Sequence, residues 1–182
     1  MSIELFRAAT DYVRDVTSGL AGEALALPTP CDGWDTGTVL LHLADAATAL
    51  VGLVETGELR MPDSPGTDAT DPVAKFQDSL ARLETTLSTA GDAERAETAM
   101  QAGTIELTMH GWDIGVASDP SHTIPEQLAS DVLVVATSLI KENARGTNFA
   151  APVDAPTTAL MSDRLAAFLG RQPFGAGVGR RP

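Results

Sequence analysis

The chain has 182 residues, 43% of them hydrophobic, enough for one domain with a sizeable core and too apolar for a disordered one. Its 25 acidic and 12 basic residues give a net charge of −13, a field that repels phosphate backbones and anionic lipid, so neither nucleic acid nor a membrane is an expected partner. A single cysteine, Cys31, excludes an intrachain disulfide.

No segment comes near the roughly 20 apolar residues of a spanning helix, the longest candidate being 132–140. Glu4, Arg7 and Asp11 leave no signal-peptide core at the N-terminus, and the chain reads as cytoplasmic.

Residues 2–20 place Ile3, Phe6, Ala9, Tyr12, Val13 and Val16 at three- and four-residue spacing, which predicts a first helix. Gly22 and the run 27–33, with two prolines and a glycine, break that pattern. Asp35 or Thr36 can cap a second helix, which runs through His42 to about Val54 on Val39, Leu40, Leu43, Ala46, Ala47, Leu50 and Leu53. Residues 56–71 read as a loop. A third helix follows from Pro72 to about Ser88, with Val73, Phe76, Leu80, Leu83 and Leu87 facing inward.

A fourth helix starts near Asp92 or Ala93 and is ended by 118–120; Gly103 inside it costs about 1 kcal/mol against alanine. Pro125 opens a fifth helix that reaches about Asn143. After an irregular stretch, 146–156, a short final helix covers 158–169. Residues 171–182, with three glycines and two prolines, are expected as a loose tail, so the single domain spans 1–170. Nearly every periodic segment has the period of a helix, which makes the fold class an all-α bundle of four main helices plus additions.

The chemistry concentrates on two of the three histidines. Glu106 and His110 lie four residues apart, one turn above each other on one helix face. His42 lies 64 residues before Glu106 in another apolar helical stretch. If the two helices face each other, two imidazoles and a carboxylate can hold a divalent cation and leave positions open, a catalytic rather than a structural arrangement. The competing reading is a solvated Glu–His helix pair and a hydrogen-bonded core histidine.

His122, in the polar segment 119–123, reads as an exposed loop residue. Cys31 is either packed in a tight turn or a thiolate ligand or nucleophile; no lysine or arginine lies near it in sequence, which favours packing. Trp34 and Trp112 read as core anchors. Asp45 and Asp113 each follow a candidate ligand by three residues and can orient it, or stand as exposed helix charges.

Three stretches carry a resemblance. Pro28-Thr29-Pro30-Cys31-Asp32-Gly33-Trp34-Asp35 followed by His42-Leu43, then Glu106-Leu107-Thr108-Met109-His110-Gly111-Trp112-Asp113-Ile114, then Asp163-Arg164-Leu165 through Phe168-Leu169-Gly170-Arg171-Gln172-Pro173 occur in order along nearly the whole chain. Together they resemble the mycothiol-dependent maleylpyruvate isomerase-like metal-binding proteins of the DinB superfamily, in an actinobacterial subgroup. The resemblance implies a DinB-like four-helix bundle with a short additional C-terminal helix. It also implies a divalent metal, Zn2+ first with Ni2+ or Fe2+ as alternatives, held by His42, Glu106 and His110.

A thiol such as mycothiol would be the co-substrate, in an S-transferase or isomerase reaction on an electrophilic small molecule, with the protein a monomer or homodimer. The characterised isomerase has a further C-terminal domain where this sequence has room for a short helix, so maleylpyruvate itself is not the expected substrate. The alternatives are a metal-dependent enzyme of specialised metabolism that uses no thiol, and a non-catalytic metal- or ligand-binding module.

Overall fold

The computed structural model describes residues 2–66, 70–141, 145 and 149–173. Among the described residues six α-helices follow in order: α1 (Ser2–Thr17), α2 (Thr36–Thr56), α3 (Pro72–Ser88), α4 (Ala93–Ser118), α5 (Glu126–Leu139) and α6 (Met161–Phe168). A short 3₁₀ turn, Gly22–Ala26, precedes α2. Among the described residues there is no strand, only one isolated bridge between Pro28 and Asp35. The chain is thus the all-α, DinB-like bundle with a short C-terminal helix that its periodicity and motifs imply.

Helix boundaries follow from capping. Asp35 accepts from the backbone N–H of Thr38 at 2.8 Å, Asp71 from that of Ala74 at 3.0 Å, and Asp92 from those of Glu94 and Arg95 at 3.1 Å. Each satisfies donors that the first turn cannot pair internally, a contribution of about 1 kcal/mol per helix start. Pro72 occupies the first turn of α3, where its missing N–H costs nothing.

α2 packs against both α3 and α4, and α1 packs against α4. An ion pair from Arg14 of α1 to Glu84 of α3, 2.6 Å, spans the remaining side of the bundle. The core these helices share holds Phe6 and Val13, Leu40 and Leu43, Phe76 and Leu80, and Trp112 and Ile114, all essentially inaccessible. Burying each large apolar side chain contributes roughly 1.5–3 kcal/mol.

Gly103 sits where α4 meets α1 and α2: a Cβ there would come within 3.0 Å of Phe6 and 3.2 Å of Leu50. The propensity penalty foreseen for this glycine is what lets the three helices approach.

Several expected boundaries shift. α1 stops at Thr17, and Pro125 precedes α5 as its cap rather than forming its first residue. α5 ends at Leu139; residues 142–144, into which it was expected to run, lie outside the described residues. α6 starts at Met161, because a turn closed by Ala159 N–H on the carbonyl of Pro156 takes the preceding residues.

The expectation that no segment is long and apolar enough for a spanning helix needs correcting. α2, 21 residues with a window of mean hydropathy 1.7, is long and apolar enough to cross a bilayer, and it is longer than the segment 132–140 singled out from sequence. That window is 67% buried, as the central helix of a bundle should be, and it carries His42 and Asp45.

α5 covers α1 and α4, and α6 packs on α5. Ser162 of α6 accepts from the N–H of Ile124 at 3.0 Å, and Arg145 donates to the carbonyls of Ala150 and Phe168, each at 3.0 Å, with its guanidinium 4.7 Å from the Phe168 ring. These contacts fasten the C-terminal segment to the end of the bundle where the candidate ligands lie.

Candidate metal centre

The three residues singled out from spacing meet. His42 comes from the second turn of α2, and Glu106 and His110 come from successive turns of the facing α4. The Nε2 atoms of His42 and His110 each stand 3.3 Å from the same oxygen, Oε2 of Glu106. The two imidazoles meet edge to face, 4.7 Å between centroids, and one donor atom from each of the three residues lies within 4.8 Å of the others. His110 is nearly enclosed, while Glu106 keeps 30% of its side chain exposed, which leaves an approach from solvent.

The donor set fits a cation. Asp113, fully buried, receives Nδ1 of His110 at 3.0 Å. A carboxylate only accepts, so Nδ1 carries the proton and the Nε2 lone pair of a neutral His110 faces Glu106. Two acceptors then point at each other across 3.3 Å, and something positive has to lie between them. The spacing is longer than a good N–H···O bond and close to the edge, about 3.3 Å, of a tetrahedron with metal–ligand bonds of roughly 2.0–2.1 Å.

Without a metal, a proton does that work. Burial pulls the His110 imidazole down, but its contacts with Asp113, Cys31 and Glu106 outweigh burial and push it well above 6.5. Burial likewise pulls the Glu106 carboxyl up, and the hydrogen bonds and charges of His110 and His42 overcome it and hold the group well below the carboxylate range. A divalent ion would replace that proton and satisfy all three donors.

The loop before α2 forms one wall. Thr29 N–H to the carbonyl of Trp34 and Trp34 N–H to that of Cys31, both 3.0 Å, close the run 28–35 into a tight loop. The loop sets the Trp34 ring 4.9 Å from His42 and 6.4 Å from His110. Trp112 is a core anchor as expected; Trp34, half-buried, is a wall of the site as well as a packing residue.

Other sequence readings divide. Asp113 does orient His110, whereas Asp45 turns away from His42, accepting from the N–H of Gly66 at 3.0 Å and facing Lys75 at 3.9 Å. His122 is not the exposed loop residue expected: it is half-buried, stacks on Tyr12 and shares a 2.8 Å hydrogen bond with its hydroxyl.

Cys31 has a cationic neighbour that linear sequence hides. Arg171 Nη2 lies 3.7 Å from its sulfur and 2.8 Å from Asp113. Arg171, expected as the first residue of a loose tail, is held in the site instead, and the signal for it is the Leu169-Gly170-Arg171 motif; residues 174–182 of that tail lie outside the described residues.

Fold and site together define a class: a helical bundle in which two facing helices present two histidines and a carboxylate to a solvent-accessible point. The family profile described as the mycothiol maleylpyruvate isomerase N-terminal domain matches residues 6–115, a span that contains all three, and the chain belongs to that family. Two uncharacterized proteins of Mycobacterium tuberculosis, one each from strains CDC 1551 and H37Rv, are similar over 176 residues at 24% identity, covering 90% of this chain and 93% of theirs. No solved structure matches.

Proposed function

We propose that this chain is a divalent-metal-dependent enzyme that joins a low-molecular-weight thiol such as mycothiol to an electrophilic small molecule, as an S-transferase or an addition–elimination isomerase. The observation that carries the reading is the pair of 3.3 Å approaches of His42 and His110 to one Glu106 oxygen in a half-open site, within a chain of the mycothiol maleylpyruvate isomerase N-terminal domain family. His42, Glu106 and His110 would hold the ion, with Zn2+ the best match to an N,N,O donor set and a further position left for a small molecule.

When bound, such an ion supplies Lewis acidity that makes a thiol a competent nucleophile near neutral pH. The chain's own residues set the conditions. Asp113 keeps the proton of His110 on Nδ1, so that Nε2 stays a donor to the ion. Trp34 walls the site beside His42, and Glu106 is the most exposed of the three. The cytoplasm, where small thiols stay reduced, is the compartment this reading requires.

Native mass spectrometry with elemental analysis, followed by thiol consumption against a chloronitroarene, tests it. The wild type is expected to carry one divalent ion per chain and to consume thiol, and His42→Ala and His110→Ala are expected to lose both. Thiol consumption unchanged after metal removal, or a wild type that takes up no divalent ion, would sink the proposal. An intact ion with no consumption of any of several thiols would favour a metal site that works without one.

A further inference from the structure

Asp113 is a hub. Its buried carboxylate meets Nδ1 of His110 at 3.0 Å, Nε and Nη2 of Arg171 at 3.3 and 2.8 Å, and the Cys31 thiol at 3.2 Å. Cys31, His110 and Asp113 therefore form a second trio of metal donors, also within 4.8 Å of one another. The two trios share His110 and use opposite nitrogens of its ring: Nε2 with His42 and Glu106, Nδ1 with Cys31 and Asp113.

A guanidinium distinguishes them. Arg171 lies against both Asp113 and the Cys31 sulfur, so the second trio already holds a positive charge where it would draw a cation, and a divalent ion brought that close would be repelled. Among the described residues no lysine or arginine makes an ion-pair contact with His42 or Glu106; the Arg171 charge reaches Glu106 only through space, without contact.

The chain is built to deliver this residue. Gly170 takes a φ of +83° after α6, a left-handed conformation that glycine adopts without strain, and a Cβ there would meet the Ala150 carbonyl at 3.0 Å. Arg171 N–H then donates to the carbonyl of Ala166 at 2.9 Å, and its Nη1 donates to that of Leu169 at 3.2 Å.

We infer that Arg171 is the resident cation on the Nδ1 side of His110: it holds Asp113 in place, keeps the Cys31 thiol off the metal, and reserves the Nε2 side for the ion shared with His42 and Glu106. The inference rests on the metal reading proposed above. Arg171 acts through Asp113 and is a positioning residue. It also gives the C-terminal segment, outside the matched span 6–115, a part in the centre.

Cobalt titration of the metal-free full chain, read by absorption and by competition with a chromophoric chelator, tests this. In the wild type one Co2+ should bind with ligand-field bands and no near-ultraviolet thiolate-to-cobalt band, and Cys31→Ser should bind equally well. Arg171→Gln should weaken binding by about ten- to a hundredfold, as loss of a ligand's supporting group does, or develop a thiolate band that Cys31→Ser removes in the double variant. Arg171→Lys, which keeps the charge, should retain the wild-type spectrum.

A thiolate band in the wild type, or an Arg171→Gln variant with wild-type affinity and spectrum, would overturn the inference and leave the metal reading standing. No cobalt uptake by the wild type would overturn both. If Arg171→Gln does not fold, the wild type decides: a thiolate band refutes the inference, and its absence with unchanged affinity in Cys31→Ser upholds it.

Discussion

Replacing Asp113 by alanine in the metal-free protein should be the most costly single change at this end of the bundle. The carboxylate has no exposure and faces a guanidinium with only 15% of its side chain exposed. Removing one partner of a buried ion pair costs about 3–5 kcal/mol, because the other charge stays behind without compensation. Arg171 can draw in some water through its exposed fraction, which places the charge component at about 3 kcal/mol. The His110 Nδ1–H loses its acceptor as well, worth about 1–3 kcal/mol where the donor stays buried, though the two losses overlap in one cluster and do not simply add.

A total of about 3–5 kcal/mol corresponds to a shift in urea midpoint of roughly 1.5–2.5 M at a slope of about 2 kcal/mol per molar. The control is the double variant Asp113→Ala/Arg171→Ala. With the orphaned charge gone, it should be more stable than the sum of the single effects by more than about 1 kcal/mol. Denaturation followed by far-ultraviolet circular dichroism supplies all four corners of the cycle. A loss below about 1 kcal/mol for Asp113→Ala, or an additive cycle, would show that the cluster carries little stability and that the burial argument is wrong.

Three further outcomes are expected. Saturating Zn2+ at about a hundred times its dissociation constant should raise wild-type stability by about 2.7 kcal/mol through linkage, and His110→Ala should show no such gain in a thermal melt. Gly115→Ala should destabilise by about 1–2 kcal/mol despite a helix-propensity gain near 1 kcal/mol, because a Cβ there would lie 2.2 Å from His122 and push it off its 2.8 Å bond to Tyr12; a stabilised variant refutes this.

His122 also sets a pH dependence. Burial lowers its imidazole below 6.5 against a smaller upward pull from Asp119, so the unfolded chain binds the proton first. Its contribution is complete above 6.5 and falls as pH drops through the folded value. The stability gap between wild type and His122→Asn should therefore narrow from pH near 7.5 to pH near 5.5, and a gap that widens would contradict the sign.

How far the fold and site could be read before the structure depended on how local each signal is. Helix periodicity and the Asp caps are local, so α2, α3 and α4 were placed to within a few residues. The Glu106–His110 pair is local too, because one turn of helix sets its geometry. His42 could be joined to it only by supposing that α2 and α4 face each other, which their apolar stripes allow and their packing achieves. The ends of α1, α5 and α6 were harder: a helix ends where tertiary contacts stop supporting it, and periodicity does not record that.

Arg171 marks the limit of local reading. It lies among Gly170, Gln172 and Pro173, the composition of a tail, and its partners Cys31 and Asp113 are 140 and 58 residues away. Only the closing of α5 and α6 over the bundle brings the three together. The same closure makes His110 two-sided, with a carboxylate–guanidinium pair on one nitrogen and an open ligand set on the other. A helical Glu-x-x-x-His alone cannot distinguish a solvated pair from half a metal site, because its spacing is the same in both. The difference lies in what holds the far nitrogen, and here that is a buried aspartate anchored by a residue 58 positions further along the chain.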